Sequence, residues 1–229
     1  MKKWSYIIML LGLCIVLYPS VTNWLDDRAQ AKLLQEAEAE SLKPLNIANL
    51  SSSSAVPDYQ KLSNLLDEGE GEVASEDNSE IESQAPEEAK LDANALKEGQ
   101  VLGVIRYDRL NIKLPIVEGA TKENMKSAAV HVTGTGIAGV EGNMAVAAHR
   151  AHKTGRLFNR LNEAKVGDVI EIDQGGQTYH YEVNKIHIVE PTEVWVLDPT
   201  EGETGLTLIT CDPLIDPTHR LIVYAVMKN

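Results

Sequence analysis

Leu206-Thr207-Leu208-Ile209-Thr210-Cys211 and Arg220-Leu221-Ile222-Val223-Tyr224-Ala225-Val226 are two apolar runs separated by the polar segment Asp212 to His219. Each has the length and β-branched content of a strand, and the segment between them is long enough to fold one strand back beside the other. The same texture extends back to Gly99, with short apolar or β-branched runs divided by glycine and polar clusters. It predicts strands at Val101–Tyr107, Ile112–Val117, Asn143–Ala148, Asp168–Asp173, Gln177–Ile188, Leu206–Cys211 and Leu221–Met227. Gln174-Gly175-Gly176 reads as a hairpin turn. Lys122 to Ser127 and Phe158 to Glu163 read as single helical turns. Many closely spaced strands and few helices indicate an all-β barrel or sandwich. About 130 residues suffice for one such core.

The N-terminal half has a different composition. Trp4 to Leu25 carries no charge over 22 residues, preceded by Lys2 and Lys3 and followed by Asp26 and Asp27. As a helix this run reaches roughly 33 Å, enough for a bilayer core of about 30 Å. We therefore expect residues 1–25 to form a signal-anchor transmembrane helix, with the lysines cytoplasmic and the rest of the chain outside. A cleaved signal peptide is the rival reading, with Ala29-Gln30-Ala31 as the candidate cleavage site. Asp26 to Lys43 is rich in Ala, Leu, Gln and Glu and reads as a helix stopped by Pro44. A stalk and a helix resting on the domain both fit this composition. Residues 26–98 thus form an extracytoplasmic helix and an acidic linker, and residues 99–229 the globular domain.

The net charge of −13 is concentrated in the linker. Residues 67–100 hold twelve acidic and two basic side chains, whereas residues 101–229 hold sixteen acidic and thirteen basic. The linker is rich in Glu and Ser and poor in large apolar residues, which predicts a largely disordered, solvated tether, with a short helix possible over Pro57 to Leu66. A globular part this close to neutral excludes a phosphate-binding basic face, and so nucleic acid as a partner. Cys14 lies in the apolar N-terminal run and reads as a small buried hydrophobe. Cys211 is thus no half of an intrachain disulfide. It is a buried hydrophobe or a nucleophile.

The chemistry decides between these. A thiolate is the nucleophilic form of cysteine, and a nearby cation favours it. Histidine moves protons near neutral pH. Attack on an amide builds negative charge on oxygen, which a fixed donor stabilises. Cys211 ends one strand, Arg220 begins the next, and His149 follows the run Asn143–Ala148, so all three roles have a candidate at a strand end. The other histidines read otherwise: His131 as a packing or hydrogen-bonding group, His152, His180 and His187 as surface residues, His219 as a loop residue. Glu141, Glu190 and Glu193 could approach one another as a calcium site, but they read as solvated loop charges. No metal or other cofactor is implied.

Three blocks carry a family resemblance. Thr207-Leu208-Ile209-Thr210-Cys211 resembles the TLxTC nucleophile motif of sortases, the membrane-anchored cysteine transpeptidases of Gram-positive bacteria. Asn143-Met144-Ala145-Val146-Ala147-Ala148-His149-Arg150 resembles their histidine block, with Ala148 where many relatives have glycine. Thr218-His219-Arg220-Leu221 resembles their arginine block. Weaker matches at Asn111 to Ile116, Gly155 to Phe158 and Val166 to Asp168 keep the family's order. The resemblance implies a closed eight-stranded β-barrel with short helices and a Cys–His–Arg site. Cys211 would attack the threonine carbonyl of an LPXTG- or LPXTA-like sorting signal. His149 would act as general acid and base, and Arg220 would hold the substrate backbone and oxyanion. Thr210 would orient substrate or donate to the oxyanion, unless it is a plain strand residue. The implied partners are secreted proteins bearing the sorting signal and a peptidoglycan-precursor amine that resolves the thioacyl enzyme. The segment Thr207 to Pro213, the block Val189-Glu190-Pro191-Thr192 and the end of the chain soon after Met227 resemble class D. Tyr18 to Asn23 resembles the pilin-polymerising class C, which uses a lysine amine, but the linker has no Asp-Pro-aromatic motif. A noncatalytic membrane-tethered binding module is the alternative of another class. The linker is longer than membrane clearance needs, so part of residues 44–98 is expected to fold over the Cys211 groove.

Overall fold

The computed structural model describes residues 2–44, 55–68, 96–153 and 155–228. Eight strands are present: β1 Val101–Tyr107, β2 Ile112–Glu118, β3 Ala129–His131, β4 Gly142–Ala147, β5 Val169–Gln174, β6 Gln177–Val189, β7 Thr204–Asp212 and β8 His219–Met227. They close into a barrel in the order β1-β2-β3-β4-β7-β8-β6-β5, with β5 returning to β1. Pairing is antiparallel except for β2 with β3 and β4 with β7. The seven strands expected from the sequence are all present, within two residues at each end. The eighth, β3, is only three residues long and escapes period-based reading.

Three α-helices accompany the barrel: α1 Lys2–Ser41, α2 Val56–Glu68 and α3 Lys122–Ser127. Thr121 caps α3 by accepting from Asn124 N at 3.1 Å. The turn expected at Phe158 to Glu163 ends in a 3-10 turn, Leu161–Glu163.

The two segments read as an anchor and a following helix are one continuous helix, α1. Its C-terminal part rests on the domain and is no free stalk. Ala37 is fully buried, Glu38 pairs with Lys113 at 2.5 Å, and Ser41 O accepts from Gly176 N at 2.6 Å. Among the described residues no helix is long and apolar enough to cross a membrane, so the transmembrane reading of residues 1–25 gains no support from the structure. Described side chains along α1 fall mostly in its charged half, and most of those in the uncharged run lie outside the described residues. The expected disorder of the acidic linker also falls largely outside them. Its described helix, α2, is the short helix expected near Pro57 to Leu66.

Side chains alternate across the wall as the period of a strand requires. Leu206 and Leu208 on β7 and Leu221, Val223 and Ala225 on β8 point inward, joining Met144, Val146, Ile105, Ile172 and Tyr181 in the barrel core. Ile209 and Cys211 on β7, Ile222 on β8, and Ala145 and Ala147 on β4 point outward into a second apolar layer. That layer is completed by Tyr59, Leu62 and Leu66, all from α2 and at most 1% exposed. The spacing i, i+3, i+7 puts these three on one face of α2.

Candidate active site

The site lies on the outer face of the β4-β7-β8 wall. Cys211 pairs directly with Arg220 across the antiparallel β7–β8 ladder. On its other side β4 runs parallel to β7, with Ala147 level with Ile209. Ala148 N continues the pairing by donating to Ile209 O at 3.2 Å. His149 follows two residues after Ala147, just past the last paired residue of β4. Cys211 and Arg220 thus sit on neighbouring strands about 4.8 Å apart, and His149 lies just beyond the end of the strand on the other side of β7. The parallel β4–β7 pairing brings together residues 62 positions apart, which spacing in the sequence does not reveal.

Each group is buried. Arg220 is fully buried, Cys211 is 5% exposed and His149 8%. Burial pushes the Cys211 thiol up to about 11, against the pull of the nearby Arg220 guanidinium. Burial and the neighbouring Arg156 charge lower His149 to about 4. Near neutral pH this arrangement holds a neutral thiol and a neutral imidazole.

Over Cys211 and Arg220 the cover is α2, which sits on the groove. Cys211 Sγ donates to Leu66 O at 3.4 Å. That carbonyl is in the last turn of α2, where helix carbonyls lack partners within the helix. Arg220 Nη2 donates to Ser63 O at 2.9 Å, to Ser63 Oγ at 2.9 Å and to Asp67 Oδ1 at 2.7 Å. A cation beside the helix C-terminus is favourably placed against the helix dipole. At the other end, Asp58 Oδ2 accepts from Thr133 N at 2.8 Å, and Ser63 Oγ donates to Pro191 O at 3.2 Å. The helix thus spans the groove from the β3–β4 connection to the β6–β7 connection. The Cys211 thiol and the Arg220 guanidinium both hold backbone carbonyls of α2.

Thr210 points the other way. It is fully buried, and its hydroxyl donates to Ala148 O at 2.8 Å. It acts as a strut between β7 and the chain just before His149. Asn143 is a second strut: its amide donates to Leu197 O at 3.0 Å, and its Oδ1 accepts from Thr207 at 2.8 Å. This holds the β6–β7 connection against the wall. His131 is in the interior network expected of it, with Nδ1 at 2.5 Å from Glu118 Oε2 and Nε2 at 2.8 Å from Gly136 O.

The remaining histidines are peripheral. His180 and His219 are partly exposed beside Glu171 and Glu190, each at 3.3 Å. His187 stands edge-on to the rings of Trp195 and Tyr224. The three glutamates weighed as a calcium site have separate partners. Glu190 faces His219, Glu193 accepts from Trp195 Nε1, and Glu141 accepts from Gly202 N. Sequence reading missed Ser63, Leu66 and Asp67. The stripe Tyr59, Leu62, Leu66 is the signal that could have found them.

The family model of the sortase domain matches residues 105–228. The chain belongs to the sortase family. It is 31% identical to sortase A of Bacillus anthracis over 138 residues, covering 60% of this chain and 65% of that protein. The match therefore spans a little under two thirds of that relative's length. Among solved structures, the sortase D5 transpeptidase of Clostridium perfringens has 27% identity and a TM-score of 0.54, over 58% of this chain and 82% of that one. The lid mutant of Streptococcus agalactiae sortase C1 has 29% identity and a TM-score of 0.55, over 58% and 71% respectively. In this sortase all three blocks recognised in the sequence fall on the β4-β7-β8 wall of the barrel or at its end.

Proposed function

We propose that this sortase is a cysteine transpeptidase that cleaves an LPXTG- or LPXTA-like sorting signal after threonine and joins the new acyl group to a peptidoglycan amine. The observation that carries the reading is the pairing of Cys211 with Arg220 across β7 and β8, with His149 just past the end of β4 on the other side of β7. The Cys211 thiol gives its proton to His149, and Sγ forms a bond to the threonine carbonyl carbon. Arg220 Nη2, facing the groove, stabilises the oxyanion. The carbon–nitrogen bond then breaks, and His149 returns the proton to the departing amine. An incoming amine repeats these steps in reverse order on the thioester, giving an amide and restoring the thiol. Thr210 supports substrate orientation through the Ala148–His149 backbone, since its hydroxyl is already engaged there.

In the arrangement described, α2 occupies the place of the substrate, so turnover requires it to leave. We infer that α2 is a closing element and that its departure exposes Cys211 and frees the Arg220 donors. Residues 4–25 supply a membrane anchor with the barrel outside the cell, on the strength of their 22 uncharged positions behind two lysines. Class D-like anchoring to peptidoglycan is the leading reading. A class C-like polymerase using a lysine amine is the second, favoured by the helix seated on the nucleophile.

The test is mass spectrometry of the full chain in detergent with LPXTG- and LPXTA-type peptides and either a glycine-based or a lysine-based amine. A thioacyl adduct on Cys211, absent in Cys211→Ala, with an amide product is expected. The preferred amine separates the two readings. A thiol that alkylates readily yet forms no adduct with any such peptide would support a noncatalytic binding module instead. Carbonate extraction of membranes tests the anchor: release of the chain into the soluble fraction would refute it.

A further inference from the structure

Arg150 follows His149 directly, yet its side chain reaches across to β7. Its Nη1 donates to Asp212 Oδ1 at 2.6 Å and approaches Cys211 O at 3.4 Å. The Arg150 side chain is 10% exposed and that of Asp212 23%. This contact falls where the β4–β7 ladder gives out. The register runs to Ala147 and Ile209, and Ala148 N reaches Ile209 O. Beyond that point His149 O turns away to accept from Phe158 N at 3.1 Å. Among the described hydrogen bonds, only two side chains then tie the β4 end to the β7 end. Thr210 holds Ala148, and Arg150 holds the backbone of Cys211 and the carboxylate after it.

We propose that Arg150, together with Asp212, is a positioning clamp that continues the strand pairing past its backbone limit and so fixes His149 against Cys211. This rests on the catalytic reading of those two residues. The clamp grips the carbonyl of the nucleophile's own peptide unit, so it sets the direction of the Cα–Cβ bond that carries Sγ. The strand containing His149 cannot drift from β7 without breaking the Arg150–Asp212 pair. Among the charges facing the thiol, Arg220 and then Arg150 favour the thiolate, while Asp67 and Asp212 oppose it. Both bonds leave the single Nη1, and the planar guanidinium fixes their direction, whereas lysine carries a point charge on a flexible stem. A displacement on the order of 1 Å between reacting groups can cost about 100-fold in rate.

The experiment compares parent, Arg150→Ala, Arg150→Lys, Asp212→Asn and the Arg150→Ala/Asp212→Asn pair, as full chains in detergent. The readouts are amide formation, the pH profile of Cys211 alkylation and thermal unfolding. Arg150→Ala should lose roughly 10- to 100-fold in kcat with KM changed by less than about threefold. Its alkylation profile should move to higher pH. Arg150→Lys should recover part of both effects, and the double variant should be no worse than Arg150→Ala, because the two residues act as one unit. A kcat within about twofold of the parent would overturn the proposal. So would a loss of kcat with an unmoved alkylation profile, which is the mark of general destabilisation. Cys211→Ala and His149→Ala serve as the separate check on the site. If either retains amide formation, the catalytic reading itself fails. If both abolish it while Arg150→Ala does not, only the clamp fails.

Discussion

Truncating Leu62 should open the groove. Leu62 is fully buried beneath α2, against the outer layer that holds Ile209, Cys211 and Ile222. Removing most of a buried leucine side chain costs at least about 2 kcal/mol. The barrel's inner core includes no residue of α2, so the cost falls on docking of the helix and not on the barrel. A docking equilibrium weakened by about 2 kcal/mol raises the open population about 30-fold. The assay is the rate of Cys211 alkylation by a small neutral reagent in the full chain. When α2 reseats faster than the reagent reacts, that rate follows the open population. Leu62→Ala should therefore alkylate about 30-fold faster than the parent at fixed pH. Adding Leu66→Ala should bring a further increase until the helix is mostly undocked. The pH profile gives a second readout. Burial holds the thiol at about 11 in the closed state, and undocking should bring its inflection down toward the ordinary range of about 8.5. An alkylation rate for Leu62→Ala within twofold of the parent, at an unchanged thermal midpoint, would refute the reasoning.

Asp67→Asn removes a charge that pairs with Arg220 but is half exposed. It should weaken docking by no more than about 1 kcal/mol, giving at most roughly a fivefold faster alkylation. His149 is held near 4 against an ordinary value of about 6.5, so the unfolded chain binds the proton first as pH falls. Folding stability should accordingly drop by about 2 kcal/mol between pH 7 and pH 5. Urea titrations of His149→Gln, which should lose that share of the drop, would check this. Glu118 is 2% exposed, faces His131 and accepts from Thr133 Oγ1 at 2.8 Å. Glu118→Ala leaves buried donors without a partner and should cost about 2–4 kcal/mol by chemical denaturation. A cost below 0.5 kcal/mol would show the network to be dispensable.

The strands were legible because each β run is bounded by turn residues, as at Gln174-Gly175-Gly176, and because long runs such as 177–189 are rich in β-branched and aromatic residues. The short β3 was not, since three residues carry no period. Its place is set by β2 on one side and β4 on the other. Cys211, His149 and Arg220 stood out as single residues, by their chemistry and by the blocks around them. Thr210 was legible as part of its motif but not in its direction. Leu206 to Cys211 has few polar markers on either face, so nothing in the run says which side meets the interior.

From the sequence alone come most of the barrel's strands, the family and the three candidate site residues, all properties of local composition and short motifs. The tertiary structure decided which face of β7 carries Cys211, that β4 lies parallel beside it, and that Arg150 and Thr210 face back across the seam. It also seated α2 on Cys211 and Arg220, joining segments about 150 residues apart through bonds to helix carbonyls. Those facts depend on contacts between distant segments. Such contacts arise when amphipathic faces find partners that no local pattern names.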